Sequence, residues 1–231
     1  NYKLFDAFLQ TAGHMMKPHV VIIDDEPITL KQLRRILEKE GYSLVALNVD
    51  NYFHDLNKQP RDIHGDYDYE TPQALDLELI NTNLKDLIAG RKVEIPYYNF
   101  KNGCRDGTAG SITLKEKDII LIDSLHGMFD DMTAGIDDSR KFKLYIETLS
   151  QIKNNAKRFV RWTDIRMLRR MIRDMQFRNY HPEATLRHWY LVRRAELRHI
   201  VSRLRMAEVV VNSSSLDAVS SLDAAHQPSS G

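Results

Sequence analysis

Short apolar, β-branched runs alternate along this chain with segments whose apolar residues recur at helical spacing, a pattern that predicts a strand–helix repeat. His19 to Ile23 ends in acids and reads as a buried parallel strand. Leu30, Leu33, Ile36 and Leu37 follow at helical spacing, with Gly41 placed as a C-cap. Leu44–Val49 predicts a second strand, so the chain opens as a β-α-β unit. The polar stretch His54–Thr71 predicts a long loop, and Ala74–Ile88 a helix stopped near Gly90. Strands are predicted at Val93–Ile95, Ile112–Leu114, Ile119–Ile122 and Phe142–Ile146, the third continuous enough to be central. Long helices at about Thr163–Phe177 and Pro182–Ser202 precede a last strand at Val209–Val211. Beyond Asn212 a Ser- and Ala-rich stretch repeats SSLDA at Ser214–Ala218 and Ser220–Ala224, and predicts a flexible tail over 213–231.

Composition narrows the partners. The 231 residues are 42% hydrophobic and 28% charged, ordinary for a globular protein able to bury one substantial core. A formal net charge of +1 gives no global attraction to nucleic acid or membranes, so anion binding must come from local clusters. Cys104 is the only cysteine, which excludes an intrachain disulfide and fits a reducing, cytoplasmic setting. No apolar run approaches the roughly 20 residues that span a bilayer. The opening NYKLFDAFLQTAGHMM is a poor signal peptide, and Gly13-His14-Met15 reads as a cloning junction, so residues 1–15 are expected to be foreign to the fold.

Three features point to chemistry. Asp50 follows the second strand, where ligands bind at the C-terminal edge of parallel sheets, and is placed to accept a hydroxyl proton. A helix N-cap is the competing reading. Asp123 ends Ile119–Ile122 in the same way and could hold Mg²⁺, or merely cap. Arg166, Arg169, Arg170 and Arg173 share one helical face opposite Leu168, Met171, Ile172 and Met175; Arg178, Arg187, Arg193 and Arg194 extend the basic character. Guanidinium forks suit phosphate oxygens, although a solvated charged face has the same pattern. His126 and His188 lack ligand-like spacing and read as structural. Trp162 and Trp189 read as packing residues.

The segments LNVDNYF, GDYDYETPQALDLELINTNLKDLIAGRKVEIPYYNFKNGCR, DIILIDSLHGMF and TDIRMLRRMIRDMQFR closely resemble the uridine kinase/phosphoribulokinase family of P-loop kinases. The likeness runs from about Val20 to Asn212. It implies a P-loop NTPase-like three-layer α/β sandwich with a mostly parallel sheet, occupying 16–212, and a helical, Arg-rich lid at about 162–202. It also implies transfer of the γ-phosphate of ATP or GTP, with Mg²⁺, to a nucleoside or sugar hydroxyl, and self-association, which is common in the family. In those terms Asp50 matches the catalytic acid and Glu70 an acid that recognises the acceptor ribose. Tyr98 and Arg105 border the nucleoside, and Asp123 replaces a Glu near the metal. Arg166, Arg169, Arg170, Arg173 and Arg178 belong to the lid over the donor phosphates.

The chain departs from the family where its phosphate loop, G-x-x-x-x-G-K-[ST], should follow the first strand. Asp24, Asp25 and Glu26 stand there, no glycine precedes Gly41, and Lys31 is the only nearby lysine. Unit charges about 4 Å apart repel by on the order of 4 kcal/mol at an effective dielectric near 20, so these acids oppose a polyphosphate unless Mg²⁺ neutralises them. Asp24 and Asp25 are therefore candidate metal ligands beside Asp123, with Lys31 the candidate phosphate lysine. Asn51 replaces the second acid usual beside the catalytic one. Two functions stay open: a phosphotransferase with an unusual loop, or a pseudokinase that binds a nucleoside or assembles. The start is also similar to response-regulator receiver domains, whose paired acids hold Mg²⁺, but their acceptor Asp follows the third strand, whereas Asp50 follows the second.

Overall fold

The computed structural model of the protein describes residues 20–23, 34, 35, 37–39, 41–147, 153–177, 181–212 and 219–221. Its centre is a six-stranded sheet built from β1 (Val20–Ile23), β2 (Ser43–Asn48), β5 (Asp118–Asp123), β6 (Lys141–Glu147), β7 (Val209–Asn212) and β8 (Val219–Ser221). The spatial order is β2-β5-β1-β6-β7-β8. All neighbours are parallel except the β7–β8 pair. β8 thus draws three residues of the expected flexible tail into the sheet.

The strand β5, expected to be central, lies between β1 and β2. Its residues Ile119, Ile120, Leu121 and Ile122 are all buried, as strands covered on both faces require. That insertion also separates this sheet from the receiver order, in which the first two strands are neighbours.

Helix α1 (Leu77–Ile88) buries Ile80, Leu84 and Leu87 against Leu47, Val49, Ile120 and Ile122. It begins at Asp76, whose carboxylate accepts the Leu79 N–H at 3.0 Å, and stops at Gly90, which has φ 76°. The preceding Pro72–Ala74 forms a separate 3-10 turn, so the helix starts three residues later than its apolar pattern suggests. Of the first predicted helix, residues 34, 35 and 37–39 are helical, and Leu37 is fully buried. Gly41 closes it, its N–H bonding Glu38 O while Tyr42 N–H bonds Leu37 O.

β3 (Val93–Asn99) and β4 (Cys104–Ile112) form a separate antiparallel hairpin. β3 runs beyond its predicted end because the pairing register shifts around Pro96, which has no N–H to give a ladder. Of the strand expected at Ile112–Leu114 only Ile112 is extended, as the last residue of β4; Thr113 and Leu114 lie past its end. α2 (Trp162–Phe177) and α3 (Pro182–His199) pack on one another, close to their predicted bounds. No helix among the described residues is long and apolar enough to cross a membrane.

Candidate active site

Two sequence candidates, Asp50 and Asp123, lie at the C-terminal ends of the neighbouring strands β2 and β5. Asp123 stands in register with Ile23 of β1 on one side and Asn48 of β2 on the other. Asp24 and Asp25 continue the chain from Ile23; they, Lys31 and Arg178 lie outside the described residues. Two residues past β2, Asp50 is exposed on the 3-10 turn Val49–Tyr52. The cap of that turn is Asn48, whose Oδ1 accepts the Asp50 N–H at 3.0 Å. The Asp50 carboxylate is therefore not the capping group. Asn51 serves the hairpin instead, its Oδ1 accepting the Tyr98 N–H at 3.2 Å, where the β3–β4 register shifts.

Glu70 ends the long loop and meets the helix α2. Arg170 Nη2 lies 2.5 Å from Glu70 Oε1, and both side chains are mostly covered. Burial pushes the Glu70 pKa up, but the Arg170 charge and hydrogen bond, with smaller help from His126 and Arg166, hold it below the ordinary glutamate range. The loop is also tied to α3: His188 Nε2 lies 3.0 Å from Asp66 Oδ2, its Nδ1–H bonds the Ala184 carbonyl, and His64 bonds the Tyr190 hydroxyl. His188 thus ties the loop to α3, with ligand atoms of Asp62, Asp66 and His188 all within 4.8 Å of one another.

Beside Glu70 the chain assembles an aromatic wall that periodicity does not reveal. The Phe53 ring sits 5.5 Å from Tyr69, 5.6 Å from Tyr98 and 5.9 Å from Phe100. Tyr98 is buried, and burial together with neighbouring Tyr69 raises its phenol pKa. Phe100 is 58% exposed, which leaves a ring face open to solvent. Arg105 lies under this wall with its guanidinium turned inward. It donates to Phe53 O at 3.2 Å, Tyr52 O at 3.1 Å and Asp76 Oδ2 at 3.0 Å. It therefore braces the wall, because the turn after Asp50 leaves carbonyls that need donors.

Half of the basic face of α2, Arg166 and Arg170, points inward. Arg166 pairs with Glu196 at 2.6 Å, and Arg193 pairs with the same carboxylate, which is 1% exposed. Arg170 and Arg173 also flank buried Asp174, at 3.4 and 3.5 Å. Arg169 and Arg173 keep exposed side chains. The apolar stripe takes the outside: Leu168, Ile172 and Met175 are each more than half exposed. Glu196 and Asp174, which organise this inversion, look from sequence like ordinary helix-face acids. Trp162 packs under the Arg193 guanidinium, 5.1 Å from its ring centre.

The fold matches known proteins. The Phosphoribulokinase / Uridine kinase family description fits residues 28–220. The chain belongs to that family. It is 30% identical over 159 residues to a uridine kinase from Macrococcus caseolyticus, covering 69% of this chain and 67% of that protein. It is 26% identical over 153 residues to a uridine kinase from Halobacterium salinarum, covering 66% of this chain and 60% of that protein. The match thus spans about three-fifths to two-thirds of these relatives. Among solved structures, phosphoribulokinase from Rhodobacter spheroides superposes with a TM-score of 0.58 at 16% identity, covering 84% of this chain and 69% of that one. D-glycerate 3-kinase from Cryptococcus neoformans superposes at 0.54 and 13% identity, over 95% and 98% of the two chains. The fold is that of the P-loop kinases.

In this phosphoribulokinase/uridine kinase fold the edge residues fit a divalent cation. Asp123 is a hard oxygen donor at the strand end, partly buried, and aligned with the strand that Asp24 and Asp25 continue.

Proposed function

We propose that the protein is a uridine kinase-like phosphotransferase that moves the γ-phosphate of ATP or GTP to a hydroxyl of a nucleoside or sugar. The observation that carries this reading is the Glu70–Arg170 pair, set beside the Phe53–Tyr69–Tyr98–Phe100 wall in a chain of this family. Glu70, held ionised by Arg170, is ready to accept hydrogen bonds from vicinal hydroxyls, and the open aromatic faces suit a base or sugar ring.

Asp50 serves as the general base. Its exposed carboxylate follows a sheet strand, within the same segment that supplies Phe53 to the wall, and takes the acceptor's hydroxyl proton as the oxygen attacks phosphorus. Arg169 and Arg173 contact the donor phosphates, joined by Arg178 and Lys31. Arg170 positions Glu70, and Arg105 braces the acceptor wall. Asp123, with Asp24 and Asp25, would hold Mg²⁺, which offsets phosphate charge when bound.

A second reading, a pseudokinase that keeps the acceptor pocket, is favoured by one observation: Asp24, Asp25 and Glu26 stand where the family's phosphate loop has glycines and lysine. Calorimetric titration with ATP, with and without Mg²⁺ and uridine, decides between them. Mg²⁺-dependent micromolar binding weakened by Arg169→Ala supports the kinase. Uridine binding with no ATP binding at millimolar concentration leaves the pseudokinase.

A further inference from the structure

His126 is a buried polar side chain that the proposed phosphotransfer does not use. It lies three residues beyond Asp123, in the turn leading away from the ligand-binding edge of the sheet. The main chain of that turn is pinned. His126 N–H donates to Ser124 Oγ at 3.2 Å, Gly127 N–H to Ser124 O at 3.0 Å, and Phe129 N–H to His126 O at 2.9 Å. The residue is 4% exposed, and the His199 ring stands edge-on to it at 6.2 Å between centres. Neither ring nitrogen has a hydrogen-bond partner among the described residues. Glu70 is close enough to act on the ring electrostatically, as are His199 and Arg203.

A buried polar group left unsatisfied costs stability, and an imidazole brings two such atoms. Leucine or methionine would fill the same space without that penalty. Sites that give up stability in this way are typical of function.

We propose that His126 is an acceptor-binding residue, its imidazole hydrogen-bonding a hydroxyl of the same polyhydroxylated ring that Glu70 engages. This rests on the reading of Glu70 as the acceptor acid. The chemistry of the ring fits a hydroxyl. Burial, reinforced by His199 and Arg203 against the opposing pull of Glu70, lowers the pKa to about 4. The imidazole is therefore neutral near pH 7, with one N–H donor and one lone pair. A hydroxyl is likewise both donor and acceptor, whereas a phosphate oxygen could use only the N–H. His126 thus selects a hydroxyl-bearing acceptor over an anionic one at this position.

The test compares His126→Leu and His126→Asn with the wild-type chain by thermal unfolding without ligand and by calorimetric titration with uridine. The expected Leu variant melts a few degrees higher, yet binds uridine about tenfold more weakly. The Asn variant, which keeps a donor and an acceptor, retains most of the affinity. If the Leu variant binds uridine as tightly as wild type, or melts lower or fails to fold, the ring is structural and the proposal is overturned while the acceptor reading stands. An Asn variant as weak as Leu also overturns it, by showing that shape and not hydrogen bonding matters. Wild-type protein that binds neither uridine nor ribose overturns both.

Discussion

Arg170 and Glu70, 100 positions apart in sequence, meet at 2.5 Å and join α2 to the end of the long loop that precedes Thr71. Removing the guanidinium leaves a largely covered carboxylate without its principal counter-charge. Arg170→Ala should cost about 2 kcal/mol in urea unfolding at pH 7, below the range for a fully buried pair because both groups keep some water contact. Glu70 has a lowered folded pKa, so its contribution is present above the ordinary glutamate value and is lost as pH falls through the folded one. The difference between wild type and Arg170→Ala should therefore shrink progressively below pH 4.5. A difference that grows in acid would contradict the pairing.

Glu196 is the hub of the helical pair. It is 1% exposed and neutralises Arg166 from α2 and Arg193 from its own helix. Glu196→Gln keeps the shape and deletes the charge, stranding two guanidinium groups. The expected loss is about 3 kcal/mol, or roughly 6–12 °C in thermal midpoint for a chain of this size. Scanning calorimetry checks it, and a change under about 2 °C would show that solvent serves these arginines as well as the carboxylate does.

The bounds of α2 and α3 and the strands of the parallel sheet are legible in the sequence because they depend on local periodicity. Ile119–Ile122 is apolar at every position and is central for that reason. The facing of α2 is not legible. Its arginine stripe satisfies the pattern of a solvated face, but Glu70 and Glu196 converge on that stripe only in three dimensions. Arg105 reads as a ligand contact for the same reason; its partners Tyr52, Phe53 and Asp76 come from two other segments. The placement of Asp50 and Asp123 is legible because a strand followed by an acid locates both at one sheet edge.

The Asp50 side chain is exposed, and the capping of its turn belongs to Asn48. Asp50→Asn should lower uridine phosphorylation by roughly 10³-fold, the range of a lost general base. A coupled ADP-release assay with uridine and ATP reads this. Retained turnover would assign proton removal to another group.

Gly103 shapes the turn on which the aromatic wall is mounted. Its φ is 64°, and an added Cβ would come within 2.3 Å of Leu56 Cδ1. Leu56 N–H also bonds the Gly103 carbonyl at 2.9 Å, so the two segments cannot simply part. Gly103→Ala should cost about 2–3 kcal/mol from the left-handed backbone and the clash together. Adding Leu56→Ala should recover the clash component but not the backbone strain. A double variant no more stable than the sum of the single changes would show that the contact is already relaxed.

His126 gives the acid response its sign. Its folded pKa of about 4 lies below the ordinary 6.5, so between those values the unfolded chain binds a proton that the native ring refuses. Stability must fall as pH drops through that window, reaching about 2 kcal/mol below the neutral-pH value at pH 5 from this group alone. His199, also lowered, adds a slope of the same sign, and His188, whose pKa its tether raises, adds the opposite one. Wild type compared with His126→Leu cancels both of those contributions. Urea unfolding at about pH 7.5 and pH 5 should show the variant losing about 2 kcal/mol less than wild type on acidification. Equal losses would place the ring in contact with water, where neither its burial nor its unpaired nitrogens could bias an acceptor.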